Sequence, residues 1–268
     1  MSWQDGFVDL RVEPWRRPAH RPTGREAAVL LVAFAPGEVL PALDIAAAIP
    51  PGAPVDALAV RLHRYEDSPE WVDGFRTGPL RNLAARELPD LGPIDEATCC
   101  YSIQVSVPDP TDLTHLQLAW AVASQASRAG AVAVLDAFAH DWSLPEPIAA
   151  LDPHRPFDVV REISVIAESE SSPGFGHAVH TRGMIKFGRP DLVMGVPEDR
   201  IGDAASILNQ LAAMLAEGHV LTAGQQLRVN DEETLTVVTY TPDAQVPNVQ
   251  LIKDGLLLTA GQAPPPRP

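Results

Sequence analysis

The chain has 268 residues, 46% of them hydrophobic and 21% charged, which is enough to bury a sizeable core in one large or two small domains. Its formal net charge of -15 repels phosphate backbones and anionic membrane surfaces, so the sequence disfavours nucleic-acid and membrane partners and favours a protein partner with a basic surface. The N-terminus lacks a hydrophobic signal region, and no apolar run approaches the roughly 20 residues that span a bilayer. Adjacent Cys99 and Cys100 rarely form a disulfide, and two reduced thiols fit a reducing compartment, so we expect an acidic cytoplasmic protein.

The first 26 residues are interpreted as an N-terminal arm. Trp3, Phe7 and Trp15 are interspersed there with arginines and prolines. Two roles are open for this arm: it docks on a partner, or it lies on its own protein and covers apolar surface with its tryptophans.

Residues 27–150 show the hydrophobic pattern of two strand-helix-strand units. The predicted elements are strands over Ala27 to Ala35, Val55 to Arg64, Thr98 to Val107 and Ala131 to Phe138, a helix over Gly37 to Ala48, and a helix from Asp109-Pro110 to Gly130. This order predicts an α+β fold whose N-terminal half is a ferredoxin-like split βαββαβ unit, an antiparallel sheet with both helices on one face.

Two connecting segments of this half carry polar residues. The acidic insertion from Glu66 to Asp95 is predicted as a covering loop with a short helix near Pro79 to Arg86, although long insertions are often functional. The connector from Ala139 to Pro156 begins beside a small polar group: Asp136, His140, Asp141 and Trp142. A histidine flanked by carboxylates can serve as a general base or a metal ligand, whereas the prolines that follow indicate an ordinary turn.

Residues 151–260 are predicted as a second antiparallel α+β half packed on the first. Its predicted elements are a strand over Asp158 to Glu168, a mobile loop over Glu168 to Gly176, a helix from Glu198-Asp199 to Gly218, strands over Gln225 to Val229 and Thr234 to Tyr240, and a hairpin formed by Val249 to Lys253 and Leu256 to Thr259. The Pro-rich tail, residues 261–268, is predicted to be disordered.

The densest run of chemistry is His177 to Val196, which we call the signature segment. Its pattern predicts a strand over Val179 to Phe187, a turn at Gly188-Arg189-Pro190 and a returning strand over Asp191 to Val196. Alternate positions of a strand share a face, so the segment is expected to present a polar row to a partner or substrate. The candidate functional residues are His180, Thr181, Arg182, Lys186 and Asp191.

A longer motif within this segment carries a resemblance. The run His-Thr-Arg-Gly-Met-x-Lys-Phe-Gly-x-Pro-Asp-Leu from His180 to Leu192, followed by a helix and then Glu217-Gly218, resembles the motif of an uncharacterised bacterial family that is catalogued only as a domain of unknown function. The similarity extends from about Gly130 to Leu227. It implies no activity, cofactor or site residue.

Two functions fit these observations. The first is a non-enzymatic protein-binding module or adaptor that uses the signature segment, an immunity protein that neutralises a partner being one form of it. The second is a small hydrolase-like enzyme whose site contains His180, Arg182, Lys186 and Asp191, because paired cations beside a histidine can hold an anionic substrate. A third interpretation is structural: Arg182 and Asp191 form an internal ion pair, and the apolar residues of the segment are core. The sequence predicts no cofactor and no metal, since it lacks a phosphate-binding loop and a zinc-binding helix.

Overall fold

The computed structural model describes residues 11–40, 42–230, 233–242, 252 and 254–260. It contains helices and two separate sheets, which confirms the α+β class. The helices are α1 (Pro69–Arg76), α2 (Gly78–Glu87), α3 (Gly92–Asp95), α4 (Thr114–Arg128), α5 (Pro145–Ala149) and α6 (Ile201–Ala216). No helix within these described ranges is both long and apolar enough to cross a bilayer.

The first sheet has five strands in the order β2-β3-β1-β4-β5, and every neighbouring pair is antiparallel. Its strands are β1 (Glu26–Ala35), β2 (Leu58–Arg64), β3 (Cys99–Pro108), β4 (Ala133–Asp136) and β5 (Asp141–Ser143). β1 and β3 are the two longest strands. β1 is a continuous apolar run that is buried along nearly its whole length, and β3 alternates apolar with small polar residues and is buried over most of its first seven positions.

One helix prediction for this half is wrong, and a second helix is present but begins later than predicted. Among the described residues of the stretch predicted as a helix, Gly37 to Ala48, the only helical element is a 3-10 turn at Ala46–Ala48. Pro41 interrupts that stretch in sequence, and a proline within a helix removes a hydrogen bond and clashes with the preceding turn. The helix predicted after β3 is α4. It begins at Thr114 rather than at Asp109, because Asp109 has a φ of 39° and its carboxylate accepts hydrogen bonds from the amides of Thr23 and Gly24. The insertion after β2 contains α1, α2 and α3, and is therefore more helical than predicted.

The second sheet has six strands in the order β6-β7-β8-β11-β10-β9. Its strands are β6 (Ser164–Ser172), β7 (Gly176–Arg182), β8 (Asp191–Val196), β9 (Gln226–Arg228), β10 (Thr234–Thr239) and β11 (Gly255–Ala260). The sheet is mixed rather than antiparallel throughout, since β8 and β11 are parallel. β6 continues through Ser172, so much of the segment predicted as a mobile loop is edge strand. The predicted tail, residues 261–268, and most of the predicted strand at 249–253 lie outside the described residues.

The strand predicted over Val179 to Phe187 ends early. β7 stops at Arg182, and a 3-10 turn follows at Met184–Phe187. The turn lies between two glycines in the left-handed region, Gly183 with a φ of 104° and Gly188 with a φ of 60°. Lys186 therefore does not share a strand face with His180 and Arg182, and its side chain leaves the hairpin in another direction.

One hydrophobic cluster joins the two sheets. It contains Leu31 of β1, Val105 of β3, Leu192 of β8 and Leu208 of α6, and it also contains Trp15 of the arm. The described part of the arm thus packs on its own protein. The signature segment lies where the two sheets meet, because its 3-10 turn contacts β1 and α6 as well as its own strands.

Candidate functional site

The five residues predicted as a functional surface lie in the interior. His180, Thr181, Arg182 and Lys186 are buried, with Thr181 and Lys186 at 0% exposure, and Asp191 is half-buried. A partner on the protein surface would not contact these side chains in this conformation. The chemistry of each residue must therefore be sought in its internal contacts.

Lys186 is the centre of a buried charge cluster. Its Nζ donates to Asp136 Oδ2 at 2.5 Å and to Glu162 Oε2 at 3.0 Å, and both carboxylates are almost completely buried. The indole Nε1 of Trp120 also donates to the Glu162 carboxylate. Burial lowers the pKa of Lys186, but the attraction of the two carboxylates outweighs it, so the pKa of Lys186 is raised above its ordinary value. We call Lys186, Asp136 and Glu162 the lysine cluster.

The backbone around Lys186 is also fixed. Buried His115 donates from Nε2 to the carbonyl oxygen of Lys186 at 2.8 Å, and the amide of Lys186 donates to the carbonyl of Gly183. A Cβ on Gly183 would lie 3.1 Å from the carbonyl oxygen of Glu162, in addition to the strain of its positive φ. Burial lowers the pKa of His115 to about 4, so His115 is neutral at pH 7.

Asp191 organises the other end of the turn. Its Oδ1 accepts hydrogen bonds from the hydroxyl of Thr181 and the amide of Met184, and the same hydroxyl accepts from the amide of Leu192. Burial raises the pKa of Asp191 to about 6, although these two hydrogen bonds and nearby Arg182 lower it in part. The groups that hold the Asp191 carboxylate are thus mainly a hydroxyl and an amide, and Arg182 contributes only by its charge.

His180 and Arg182 face the edge strand β6. His180 is hydrogen bonded to the Glu168 carboxylate at 3.0 Å, and Arg182 lies opposite Ser164 in the β6-β7 register. No acceptor within the described part of the chain takes a hydrogen bond from Nε of Arg182. Burial lowers the pKa of Arg182, while Asp191 and Glu168 raise it in part.

The motif also contains an arginine that the sequence did not single out. Buried Arg189 donates to the carbonyl oxygens of Gly218 and His219 after α6 and to that of Arg21 in the arm. Arg17 of the arm donates to the carbonyls of Phe187 and of Ala216 at the end of α6. The signature segment therefore joins the arm, α6 and both sheets, which is the behaviour of a folding motif.

A concave surface lies beside the lysine cluster. It consists of two adjoining depressions of about 260 and 240 Å³ that share Trp120, Leu151 and Arg155. We call it the Trp120 groove, and we call the second depression its inner part. The outer part is lined by Asp44, Gln117, Ser124 and Arg128 among others, and the inner part by Asp141, Ser143, Ile148, Arg161 and Glu162 among others.

The groove contains charges of both signs. Burial, with the nearby carboxylates of Glu87 and Asp136, raises the pKa of Asp141 to about 6. Burial lowers the pKa of Arg155, whose guanidinium lies over the Trp15 ring at 4.9 Å from its centroid. Glu162 links the groove to the lysine cluster, because this residue is part of the groove lining and its carboxylate binds Lys186.

Sequence reasoning found part of this site. The group Asp136, His140, Asp141 and Trp142 was singled out, and the structure places Asp136 in the lysine cluster and Asp141 in the groove. His140 is half-buried in the β4-β5 turn, and burial lowers its pKa to about 4. Trp120, Arg155 and Glu162 were missed as functional residues. The composition singles out only Lys186 of the lysine cluster, because just two of the 20 lysines and arginines, Lys186 and Lys253, are lysines.

Comparisons with models of known protein families, with curated proteins and with solved structures found no match for this chain. The resemblance carried by His180 to Leu192 therefore stays a prediction. Within the residues that the structure describes, no group of three or more histidine, cysteine, aspartate or glutamate side chains is arranged to hold a metal ion.

Proposed function

We propose that the protein is a non-enzymatic binding protein whose recognition site is the Trp120 groove. The observation that carries this proposal is the form of the groove: two depressions that share Trp120, Leu151 and Arg155 make one continuous concave surface with charged residues along it. Concave surfaces with apolar walls and a few fixed polar groups are the usual form of ligand sites. An adaptor, or an immunity protein that neutralises a partner, is the protein-binding form of this proposal.

The interior position of the signature segment supports placing the recognition site in the Trp120 groove rather than on that segment. Lys186 and Asp191 are held by internal donors and acceptors, so neither is free to receive a substrate or a partner on the surface. Instead, the lysine cluster fixes Glu162 and Trp120, which are two walls of the groove. Fixed walls lower the entropic cost of binding, because fewer side chains must be ordered when a ligand enters.

The test is capture of bound molecules by the full chain. The native chain, a groove variant with Arg128→Glu and Arg161→Glu, and a control with Arg16→Glu and Arg61→Glu are each incubated with extract of the source cells. All four arginines are exposed, and both variants change the net charge equally. Circular dichroism and thermal unfolding check that both variants fold.

Released proteins and small molecules are then identified by mass spectrometry. We expect a molecule that the native chain and the control retain and the groove variant loses. Equal retention by all three chains would move the site away from the groove. Retention of nothing by the native chain would contradict a binding role.

A second candidate is hydrolase-like chemistry in the same groove. Asp141 favours it, because a carboxyl group with a pKa near 6 in a pocket can exchange protons near neutral pH, and a second acidic residue, Glu162, is part of the same lining. The captured molecule, incubated with the native chain and with Asp141→Asn, separates the two functions. Conversion by the native chain alone would favour the enzyme, and an unchanged molecule in both would favour binding.

We also propose that the first half is a variant of the ferredoxin-like split unit that has lost its first helix. The strand order β2-β3-β1-β4 with antiparallel neighbours supports this relation. A cytoplasmic location is proposed as well, and the two free, buried thiols of Cys99 and Cys100 support a reducing compartment.

A further inference from the structure

Two opposite charges in the inner part of the Trp120 groove have no hydrogen-bond partner within the described part of the chain. Asp141 is half-buried, yet no described donor reaches its carboxylate. The Arg155 side chain is 16% exposed, yet its guanidinium donates to no described acceptor, and the Glu162 carboxylate lies 4.0 Å away from it. Polar groups removed from water without partners are costly, so such groups in a pocket indicate a ligand.

The other charged side chains of this depression either have hydrogen-bond partners within the protein or are exposed to solvent. Glu162 accepts from Lys186 and Trp120, which leaves its charge largely compensated. Arg161 has a side chain that is 68% exposed, beside Asp158 at 3.7 Å. Two groups of this depression therefore lack hydrogen-bond partners among the described residues: the Asp141 carboxylate lacks a cationic donor, and the Arg155 guanidinium lacks an anionic acceptor.

Asp141 and Arg155 do not satisfy one another, although both line the same depression of about 240 Å³. A ligand that carries an ammonium and a carboxylate close together satisfies both. Ammonium groups donate strongly to carboxylates, and the planar guanidinium matches the two oxygens of a carboxylate. Trp120, Ile148 and Leu151 supply apolar walls for a side chain on the same molecule.

We propose that the inner part of the groove binds a free α-amino acid as its zwitterion, with the ammonium on Asp141 and the carboxylate on Arg155. Ser143 shares a strand face with Asp141 and lines the same depression, so its hydroxyl can accept an additional hydrogen bond from the ammonium. An interior residue of a polypeptide carries neither charge, and a chain terminus carries one of the two on its terminal residue. The site is thus matched to the free amino acid. This inference rests on the binding role proposed for the groove.

The test is calorimetric titration of the full native chain with the free amino acids, apolar ones first. We expect saturable binding of at least one of them. Its N-acetyl derivative, which lacks the ammonium, and its amide, which lacks the carboxylate, should each bind at least tenfold more weakly. Asp141→Asn should weaken binding of the parent amino acid tenfold or more, and the exposed control Asp199→Asn, away from the groove lining, should leave it within about twofold.

Arg155→Gln tests the contact between the guanidinium and the carboxylate of the amino acid. If loss of the stacking on Trp15 prevents this variant from folding, the amide derivative tests the same contact on the native chain. Binding of none of the free amino acids would overturn the inference, as would derivatives that bind as tightly as the parent. If the free amino acids fail while the groove still captures another molecule from extract, the zwitterion assignment alone is wrong. If the groove captures nothing as well, the proposed binding function is also wrong.

Discussion

Replacement of Lys186 by methionine tests the lysine cluster most directly. Lys186→Met keeps most of the apolar stem but removes the ammonium, which leaves the carboxylates of Asp136 and Glu162 buried at 3% and 2% side-chain exposure. With an effective dielectric constant of about 20, each contact at 2.5 or 3.0 Å is worth about 6 kcal/mol before desolvation is counted. The net cost of removing one partner from a buried ion pair is smaller, about 3 to 5 kcal/mol.

We therefore expect Lys186→Met to lower the free energy of unfolding by about 4 kcal/mol at pH 7. The assay is urea unfolding followed by circular dichroism. With a slope of about 3 kcal/mol per molar urea, the midpoint should fall by about 1.3 M. The exposed cation Arg16 gives the control, because Arg16→Met should change the free energy by no more than about 0.5 kcal/mol.

A rescue variant separates lost charge compensation from lost packing. Lys186→Met combined with Asp136→Asn and Glu162→Gln removes all three charges, and the new amide oxygens can still accept from the amides of Phe138 and Ala139 and from the Trp120 indole. This triple variant should recover most of the loss. A single variant that costs less than about 1 kcal/mol, or a triple variant less stable than the single, would refute the reasoning.

Three further outcomes follow from the same structure. Lys186 should stay unmodified by an amine-reactive reagent in the native protein and react after unfolding in guanidinium, as peptide mass spectrometry will detect; reaction in the native state would contradict its full burial. The pKa of Asp191 is raised to about 6 from an ordinary 3.8, so its protonation stabilises the folded state at pH below 3.8. This stabilisation, about 3 kcal/mol, is lost as the pH rises through 6. Asp191→Asn should abolish this change in the free energy of unfolding, as unfolding titrations from pH 4 to 7 will measure. Amino-acid affinity should fall as the pH drops through about 6, because the protonated Asp141 cannot pair with an ammonium; titration calorimetry at pH 5 and 7.5 measures this, and equal affinities would exclude Asp141 as the contact.

The parts of the fold that sequence predicted well depend on local patterns. β1, β3 and α6 follow from continuous apolar runs, alternation and a helical stripe, each of which is complete within one segment. The helix predicted over Gly37 to Ala48 failed because apolar spacing was given more weight than the proline within it.

The site could not be predicted in the same way because its contacts are distant in sequence. Lys186 meets carboxylates 50 and 24 positions earlier, and the groove combines residues from Asp44 to Glu162. The polar residues of the signature segment indicated an exposed surface. They are buried instead, because hydrogen-bond and ion-pair partners on other elements compensate for their removal from water. Lys186, which lies between apolar neighbours and is one of only two lysines in an arginine-rich chain, was the usable hint.

The hydrogen bonds of Arg17 have a consequence for the order in which the molecule assembles during synthesis. Ala216, whose carbonyl accepts from Arg17 Nε, lies 199 positions further along the chain. Ribosomes add residues from the N-terminus at about 5 to 20 per second, so the arm emerges at least about ten seconds before its receptor at the end of α6 exists. During that interval the guanidinium of Arg17, which is buried in the folded protein, lacks its two carbonyl acceptors on α6, those of Leu215 and Ala216. A nascent chain stalled before residue 215 should therefore be cleaved by a protease near Arg17 more readily than the completed chain, in which α6 holds this arginine.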